Sequence, residues 1–283
     1  MSQSQVKGKK KISIGRIIAY LFAILVAVVS FFPFFSMLIS STHTPYDIVT
    51  KLHFLPGKAF MTNYTRLTEN VNIWRGFGNS LFVATLSVVI TVYFSLMTAY
   101  GFSKFRFKGR NFLFGVVLVT MMLPGQLGIL GSFRLFTNIK LLDTYWPMLI
   151  PGVANCGAVF FLKQFLDGGL PNEVIESAII DGAGELKIYH SIVMPLARPA
   201  IVTQAIMSFI GSWNNYMTPL IMLRSKQKFT LPVLIASVGD AMHAEYGAYF
   251  VGMLITVIPL IILFIFTSRI IMEEISIGAA VKG

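Results

Sequence analysis

Apolar residues along this chain are gathered into long runs, each without a single Asp, Glu, Lys, Arg or His. A helix rising 1.5 Å per residue needs about 20 mostly apolar residues to cross a bilayer core of roughly 30 Å. Each run is close to that length or longer. The pattern therefore predicts six transmembrane helices, at about 17–42, 76–103, 111–133, 144–162, 199–223 and 246–268.

The composition agrees with a membrane protein. Hydrophobic residues make up 55% of the 283 positions and charged residues 12%, whereas an average soluble domain is about 25% charged. A soluble bundle of six helices would need polar outer faces, which runs such as "YGAYFVGMLITVIPLIILFIFTS" lack. We therefore predict an all-α membrane protein.

The first run follows "KGKKKISIGR", which is similar to the start of a signal peptide, but the run is long and no A-x-A-like site follows it. We expect it to be a retained anchor. The single cysteine, Cys156, lies in the fourth run and excludes an intrachain disulfide. We interpret it as a small buried apolar residue.

The net charge of +11 comes from basic residues beside the predicted spans. The tail before the first run is basic, and so is the link "SKFRFKGR" between the second and third. By the positive-inside rule both are cytoplasmic, which places both termini inside. With this orientation 14 of the 23 Lys and Arg residues lie inside. The expected organisation is a basic tail at 1–16, a transmembrane domain at 17–270 and a cytoplasmic tail at 271–283. We do not expect nucleic-acid binding, because no dedicated soluble surface of the chain alternates basic with aromatic residues.

Helix breakers interrupt several runs: Pro33, Pro124 with Gly125, Pro151 with Gly152, Pro219 and Pro259. Proline removes an amide donor and clashes with the preceding turn, so kinks are predicted at these positions. Such kinks are tolerated in membrane helices, so they indicate either plain packing geometry or a gate in a moving pathway.

The inside segment between the fourth and fifth runs reads "EVIESAIIDGAGELKIYHSIVMPLARP" and predicts a helix-turn-helix at about 171–195. With Pro171 as the first helical residue, the apolar face of the first helix holds Val174, Ile175, Ala178 and Ile179. Gly182 allows a left-handed turn, and a second helix runs from about 184 to Pro195. The four carboxylates of this segment would be repelled by anionic lipid, so a basic protein surface is the better partner.

This segment resembles the "EAA" loop of permease subunits in bacterial ABC importers. The family pattern is E-A-A, three residues, G, nine residues, I, one residue, L, P. The matching residues are Glu176, Ser177, Ala178, Gly182, Ile192, Met194 and Pro195. Ser177 and Met194 depart from the pattern and preserve residue size.

The resemblance implies a coupling helix seated in a cleft of a separate ATPase, which drives alternating access in the membrane helices. Glu176 would be the acidic contact, and Asp181 and Gly182 would hold the turn. The chain has no G-x-x-x-x-G-K-[ST] phosphate loop, so we expect no enzymatic activity and no cofactor in this chain. ATP and Mg²⁺ would bind the partner ATPase.

Further segments are similar to the smaller, six-span permease of maltose-type carbohydrate importers: "FLPGKAFMTNY", "GNSL", "WNNYMTPL" and the ending "GAAVKG". This resemblance implies import of a sugar or oligosaccharide across a bacterial or archaeal cytoplasmic membrane. The implied partners are a second, non-identical permease, two ATPase subunits and an extracytoplasmic solute-binding protein. It also implies that the larger permease supplies most of the sugar site.

Polar and small residues follow one face of the fifth span. Polar side chains in a membrane face the bundle interior or a wet cavity, so this face either joins helices or lines the translocation path. Amides pair with sugar hydroxyls and rings cover sugar C–H faces. The candidate path residues are Gln204, Ser208, Ser212, Trp213, Asn214, Asn215 and Thr218, with Gln126 and Asn155 beside the breaks in spans three and four.

Other classes of protein fit less well. An intramembrane enzyme needs nucleophiles or metal ligands at membrane depth, and the four His residues lie outside the spans, so no metal site is expected. A channel or secondary transporter coupled to protons or sodium usually carries a midplane carboxylate, and the runs contain none. An ABC importer permease for glycerol phosphate, amino acids or polyamines remains the alternative, because the coupling loop is shared.

Overall fold

The computed structural model describes residues 14–241 and 245–281. Within them the chain is helical, and the helices are α1 (Ile14–Ser40), α2 (Pro45–Thr50), α3 (Phe60–Asn70), α4 (Ile73–Lys104), α5 (Arg110–Met122), α6 (Ile129–Asn138), α7 (Trp146–Leu149), α8 (Cys156–Gly169), α9 (Asn172–Ile180), α10 (Glu185–Ile188), α11 (Met194–Leu196), α12 (Arg198–Trp213), α13 (Met217–Met222), α14 (Leu231–Ala241) and α15 (Tyr246–Val281). Short 3-10 segments lie at Gly125–Gly128, Ile150–Ala154 and Lys226–Lys228, and a π-helical turn lies at Tyr189–Val193.

Four helical segments are long and apolar enough to cross a membrane: Ile14–Ser40, Ile73–Lys104, Trp146–Gly169 and Tyr246–Thr267. Two further segments qualify if a bent helix pair counts as one span. These are Arg110–Met122 with Gly125–Asn138, bent by 96°, and Glu185–Leu196 with Arg198–Trp213, bent by 81°. The described residues therefore contain four to six candidate spans, in line with an all-α, multi-pass membrane protein.

The chain divides into two compact units, one of Met1–Leu67 with Met242–Leu254 and the other of Thr68–Ala241 with Ile255–Gly283. In the first unit α1 exposes almost its whole circumference, and its most apolar window has no buried residue. A helix that is apolar all round requires lipid or another apolar partner. At the end of α1, the buried amide of Asn63 donates to the carbonyl oxygens of Ser41 and His43, at 2.8 and 2.9 Å.

In the second unit α4 is the central helix and packs mainly on α12 and α8. Its buried face is built from small residues at helical spacing, which lets neighbouring backbones approach closely. The buried members of this face are Gly76, Ser80, Val83, Ala84, Ser87, Thr91, Ser95 and Ala99.

The predicted helix breakers have different outcomes. Pro124 ends α5, and the chain bends by 96° before α6, so the third predicted span is broken rather than straight. Pro151 and Gly152 lie in a 3-10 segment inside the fourth. Pro33 and Pro259 lie within continuous helices, α1 and α15. A proline costs one backbone hydrogen bond, which a long helix can lose without ending.

Candidate functional site

The segment 171–196 is anchored on its inner side by one hydrophobic cluster. Ile175 and Ala178 of α9, with Ile188, Tyr189 and Val193 further on, pack with buried residues of α4 and α8. The Tyr189 hydroxyl donates to the carbonyl oxygen of Tyr93 in α4 at 2.8 Å. The start of the segment is held by Lys104, which donates to the carbonyl oxygen of Leu170 and, at 3.0 Å, to Oδ1 of Asn172.

A second pair of contacts ties the second helix of the segment to α4. The Tyr100 hydroxyl donates to a carboxylate oxygen of Glu185 at 3.2 Å. Tyr93 Oη and Nε2 of His190 are 3.2 Å apart, and Nδ1 of His190 lies 2.7 Å from the Leu186 carbonyl oxygen. Because a carbonyl only accepts, Nδ1 carries the proton, and in neutral His190 the Tyr93 hydroxyl donates to Nε2.

The turn of the segment is a Schellman motif. The amide of Ala183 donates to the Ala178 carbonyl at 3.0 Å, and that of Gly182 to the Ile179 carbonyl at 3.0 Å. Gly182 has φ +77°, in the left-handed region that a residue without a Cβ adopts readily. The sequence prediction of a left-handed turn at Gly182 thus agrees with the structure. Pro171 precedes α9 as its cap, so the helix begins at Asn172 instead.

The outer side of the segment is acidic and apolar together. Glu176 and Asp181 are exposed, beside Ile180, which is 85% exposed, and Leu186, which is 66% exposed. The predicted apolar face of α9 is narrower than expected, because Val174 and Ile179 are also exposed. A helix of nine residues meets the cluster along one stripe only, through Ile175 and Ala178.

The remaining residues of the EAA-like pattern are divided between these two sides. Ala178 is buried, and Ile192 is half-buried against the cluster. Ser177 is exposed and its hydroxyl donates to the Val174 carbonyl at 3.0 Å. Pro195 is exposed within α11. The structure therefore places Glu176, Ser177, Asp181 and Gly182 on one accessible surface, whereas Ala178 and Ile192 hold the segment to the membrane helices.

A second feature is a cavity of about 300 Å³ between α4, the 3-10 break before α8, and α12. We call it the polar cavity. Its lining residues are all uncharged: Ser87, Thr91, Met148, Pro151, Gly152, Asn155, Gln204, Met207, Ser208, Gly211, Ser212 and Asn215. Five of the predicted path residues thus meet at one place, although they come from two distant parts of the chain.

Local hydrogen bonds fix the polar side chains around this cavity. Gln204 Nε2 donates to the Ser208 hydroxyl at 3.1 Å, and the Ser212 hydroxyl donates to that of Ser87 in α4 at 3.2 Å. Asn155 caps α8, where its Oδ1 accepts from the Ala158 amide at 2.9 Å. Oδ1 of Asn215 accepts from the Thr218 amide at 3.3 Å. The cavity wall is therefore ordered before any solute enters.

The close approach of the 3-10 break to α4 depends on Gly152. A Cβ atom at this position would lie 2.6 Å from the Thr91 hydroxyl oxygen, which is too close for van der Waals contact. Gly211 is the opposite case, since a Cβ there meets nothing within 4 Å. Gly152 thus permits the 3-10 segment to approach α4 closely, whereas Gly211 leaves unfilled space beside α12.

Four predicted path residues do not line the polar cavity. Trp213 is buried, donates through Nε1 to the Thr256 carbonyl at 3.0 Å, and packs between aromatic rings. Asn214 is exposed at the end of α12, and Thr218 is half-buried in α13. Gln126 is exposed in the 3-10 segment after the bend of the third span.

Sequence reasoning missed the contribution of α4. Ser87 and Thr91 line the polar cavity, and their signal is a spacing of four in an apolar helix that continues to the buried Ser95. Met148 and Met207 were missed because apolar side chains in apolar segments give no sequence signal that they line a cavity.

The side chain of Asp143 joins the loop before α7 to the segment that follows α13. Its carboxylate accepts from the Ser225 hydroxyl at 2.6 Å and from the amides of Ser225 and Arg224 at 2.9 and 3.0 Å. Lys228 Nζ lies 3.0 Å from Oδ2. These donors, the Ser225 hydroxyl foremost, hold the pKa of Asp143 well below its usual range.

The fold and these two features define a polytopic membrane protein with an uncharged, open cavity between helices and an anchored, outward-facing helical turn. The profile of the family described as "binding-protein-dependent transport system inner membrane component" matches residues 91–274. The chain belongs to this family, whose members are membrane components of transporters. The expectation that this chain is a permease component rather than an enzyme is confirmed by its relatives.

Individual relatives carry more specific names. The chain is 34% identical over 262 residues to the arabinooligosaccharides transport system permease protein AraQ of Halalkalibacterium halodurans, covering 91% of this chain and 93% of that protein. It is 30% identical to the lactose transport system permease protein LacG of Rhizobium radiobacter, covering 89% and 92%. A crystal structure of a bacterial ABC transporter involved in the import of the acidic polysaccharide alginate shares the fold, with a TM-score of 0.80 and 22% identity, over 92% of this chain and 98% of that chain.

Proposed function

We propose that this chain is the permease subunit through which an ATP-driven, binding-protein-dependent importer takes up a sugar or an oligosaccharide. The observation that carries the proposal is the two-sided 171–196 segment, anchored on α4 and α8 and bare on its acidic and apolar outer face. Exposed apolar side chains rimmed by carboxylates are typical of a surface that a protein partner covers. A sugar as the solute is supported by the names of the relatives and by the uncharged amides and hydroxyls of the polar cavity.

The membrane arrangement belongs to the same proposal. The chain crosses a bacterial cytoplasmic membrane six times with both termini inside, and each bent helix pair contributes one span. For the fifth span, α12 enters the membrane while α10 and α11 lie along its inner surface, which the 81° bend allows. The predicted excess of Lys and Arg on the inside supports this orientation.

Coupling would run from the partner ATPase through the 171–196 segment to the cavity wall. Closure of the ATPase dimer, driven by ATP and Mg²⁺ bound there, displaces α9, and the shared cluster passes the displacement to α4 and α8. The π-helical turn at Tyr189–Val193 leads through α11 into α12, which lines the polar cavity. π-turns are frequent at functional sites because they interrupt regular helical hydrogen bonding. The cavity wall can therefore move with the segment.

Glu176 and Asp181 would face basic residues of the ATPase, while Ile180 and Leu186 enter an apolar part of its cleft. A charged hydrogen bond of this kind contributes about 1.5–3 kcal/mol. The expected assembly contains one copy of this chain, one different permease, two ATPase subunits and an extracytoplasmic binding protein. Of the predicted path residues, we assign Asn155, Gln204, Ser208, Ser212 and Asn215 to the wall of the path.

Affinity purification through a tag on this chain, followed by mass spectrometry and ATPase assays, tests the proposal. The expected result is co-purification of a second permease and an ATPase whose activity rises with binding protein and sugar. Uptake of labelled lactose, arabinotriose, diacetylchitobiose and glycerol phosphate by cells with and without the chain then identifies the solute. Purification without any ATPase, or sugar uptake unaffected by deletion of the chain, would contradict the proposal.

A further inference from the structure

Two side-chain amides on the wall of the polar cavity use their oxygen atoms, but not their NH₂ groups, in hydrogen bonds within the described residues. Oδ1 of Asn155 accepts from the Ala158 amide, and Oδ1 of Asn215 accepts from the Thr218 amide. Because a backbone N–H needs an acceptor, these contacts fix which end of each side chain is oxygen. Within the described residues, no hydrogen bond uses the NH₂ group of either side chain. Both residues line the cavity, so their NH₂ groups are candidate donors to a solute there.

The size of the cavity limits what it can hold. A volume of about 300 Å³ has space for about ten water molecules at roughly 30 Å³ each. One hexose unit has about a dozen non-hydrogen atoms, which is comparable with that number of water oxygens. The cavity lies at the lower end of the range for small-molecule sites, roughly 300–1,000 Å³. Its volume therefore matches about one sugar unit, and further units of an oligosaccharide would extend beyond it.

The chemistry of the lining further restricts the ligand. The lining residues supply hydroxyls, amides and methionine side chains, and none of them carries a charge. A carboxylate or phosphate in this cavity would give up its hydration without gaining a cation from this wall. Sugar hydroxyls both donate and accept hydrogen bonds, so they match the amide donors and the Oε1 acceptor of Gln204. The NH₂ group of Gln204 itself donates to the Ser208 hydroxyl.

We propose that the polar cavity is a subsite for one uncharged sugar unit, bound by the NH₂ groups of Asn155 and Asn215 and by Oε1 of Gln204. This chain then contacts the passing solute directly instead of serving only as a scaffold for a second permease. The inference rests on the proposed function, because it assumes that a sugar moves along this wall. It adds the contacts, the number of sugar units and the preference for an uncharged ligand.

The two asparagines allow a substitution that tests the donors without disturbing the fold. Asn155→Asp keeps the oxygen that caps α8, and Asp is as good a helix cap as Asn. Asn215→Asp keeps the acceptor for the Thr218 amide. Each change replaces the NH₂ group with an oxygen that does not donate in its ionised form, and it adds one negative charge. Asn138→Asp makes the same change at an exposed position in α6 outside the lining and is the matched control.

The assay is the number of sugar molecules transported per ATP hydrolysed by the complete importer in proteoliposomes with its binding protein. The probe is whichever of labelled lactose, arabinotriose or diacetylchitobiose the wild-type complex transports best. We expect the ratio to fall about threefold to tenfold in Asn155→Asp and Asn215→Asp, while ATP hydrolysis stimulated by the binding protein is retained. Asn138→Asp should match the wild type. For the wild type, the ratio should be lower for an analogue of the same length that ends in a uronic acid.

A purely structural defect lowers transport and ATP hydrolysis together, so the ratio separates solute contact from misfolding. If Asn155→Asp loses both, the defect is in the cap of α8, and Asn215→Asp alone decides. Wild-type ratios in Asn215→Asp, or equal ratios for the neutral and uronate sugars, would overturn the inference and leave the proposed function intact. A wild-type complex that transports no sugar and shows no stimulated hydrolysis would instead contradict the proposed function.

Discussion

Gly211→Leu is expected to obstruct the polar cavity without weakening the fold. Gly211 lies in α12 among the lining residues, and a Cβ at this position meets nothing within 4 Å. The new side chain therefore extends into open space. Leu is also favoured over Gly within a helix by up to about 1 kcal/mol, so the stability of α12 should not fall.

The size of the effect follows from crowding. The cavity measures about 300 Å³, so a solute unit must share a space that four additional carbon atoms partly fill. Overpacking of a fitted site costs about 1–3 kcal/mol, which corresponds to roughly 5–150-fold weaker occupation. We expect uptake of the transported sugar to fall by a factor in this range, with unchanged assembly and an unchanged or slightly higher unfolding temperature in detergent.

The matched control is Gly115→Leu in α5. An added Cβ at Gly115 also meets nothing within 4 Å, and Gly115 does not line the polar cavity. Its uptake should equal that of the wild type. Wild-type uptake by Gly211→Leu would refute the assignment of the cavity to the path. An equal loss in both variants would show that added bulk in any span, rather than obstruction, explains the effect.

Three further changes test other parts of the account. Gly182→Val places a β-branched residue at φ +77° and should cost at least about 1–2 kcal/mol in the turn, which lowers ATP-dependent uptake; Gly182→Asn, which tolerates this conformation, should retain most of it. Gly152→Ala brings a Cβ to 2.6 Å from Thr91 Oγ1 and should lower the unfolding temperature, whereas adding Thr91→Ala should restore part of the loss in a double-mutant cycle. Because the pKa of Asp143 is depressed in the folded chain, its stabilising effect is present above the unfolded value of about 3.9 and is lost as the pH falls through the folded value. Unfolding temperatures measured against pH should therefore decline less steeply below about pH 4 in Asp143→Asn than in the wild type.

The elements that the sequence predicts well are those with a local signal. Gly182 stands between two short helices and takes the left-handed conformation that its position suggests. The stripe of Gln204, Ser208, Ser212 and Asn215 has the period of one helix face, and the four residues do line a common cavity. In both cases the deciding interaction lies within a few residues of the chain.

The features that the sequence did not predict depend on tertiary contacts. Trp213 adjoins the polar stripe in sequence, yet its ring is buried against Phe209 and Phe77 because its indole N–H finds a carbonyl of α15. Ile179 belongs to an apolar pattern but is exposed, since α9 touches the cluster along a single stripe. The 96° bend after Met122 was predicted only as a kink.

The central claim is that a separate ATPase drives this chain through the 171–196 segment, and cross-linking tests it most directly. In a Cys156→Ser background without other cysteines, Ile180→Cys places a thiol at a position that is 85% exposed. Tyr46→Cys, at a position that is 74% exposed in α2, is the control on the proposed opposite side of the membrane. With a short bismaleimide, Ile180→Cys should yield an adduct with the ATPase whose amount changes with ATP, and Tyr46→Cys should yield none. No ATPase adduct from Ile180→Cys in an assembled complex, or equal adducts from both positions, would contradict the claim.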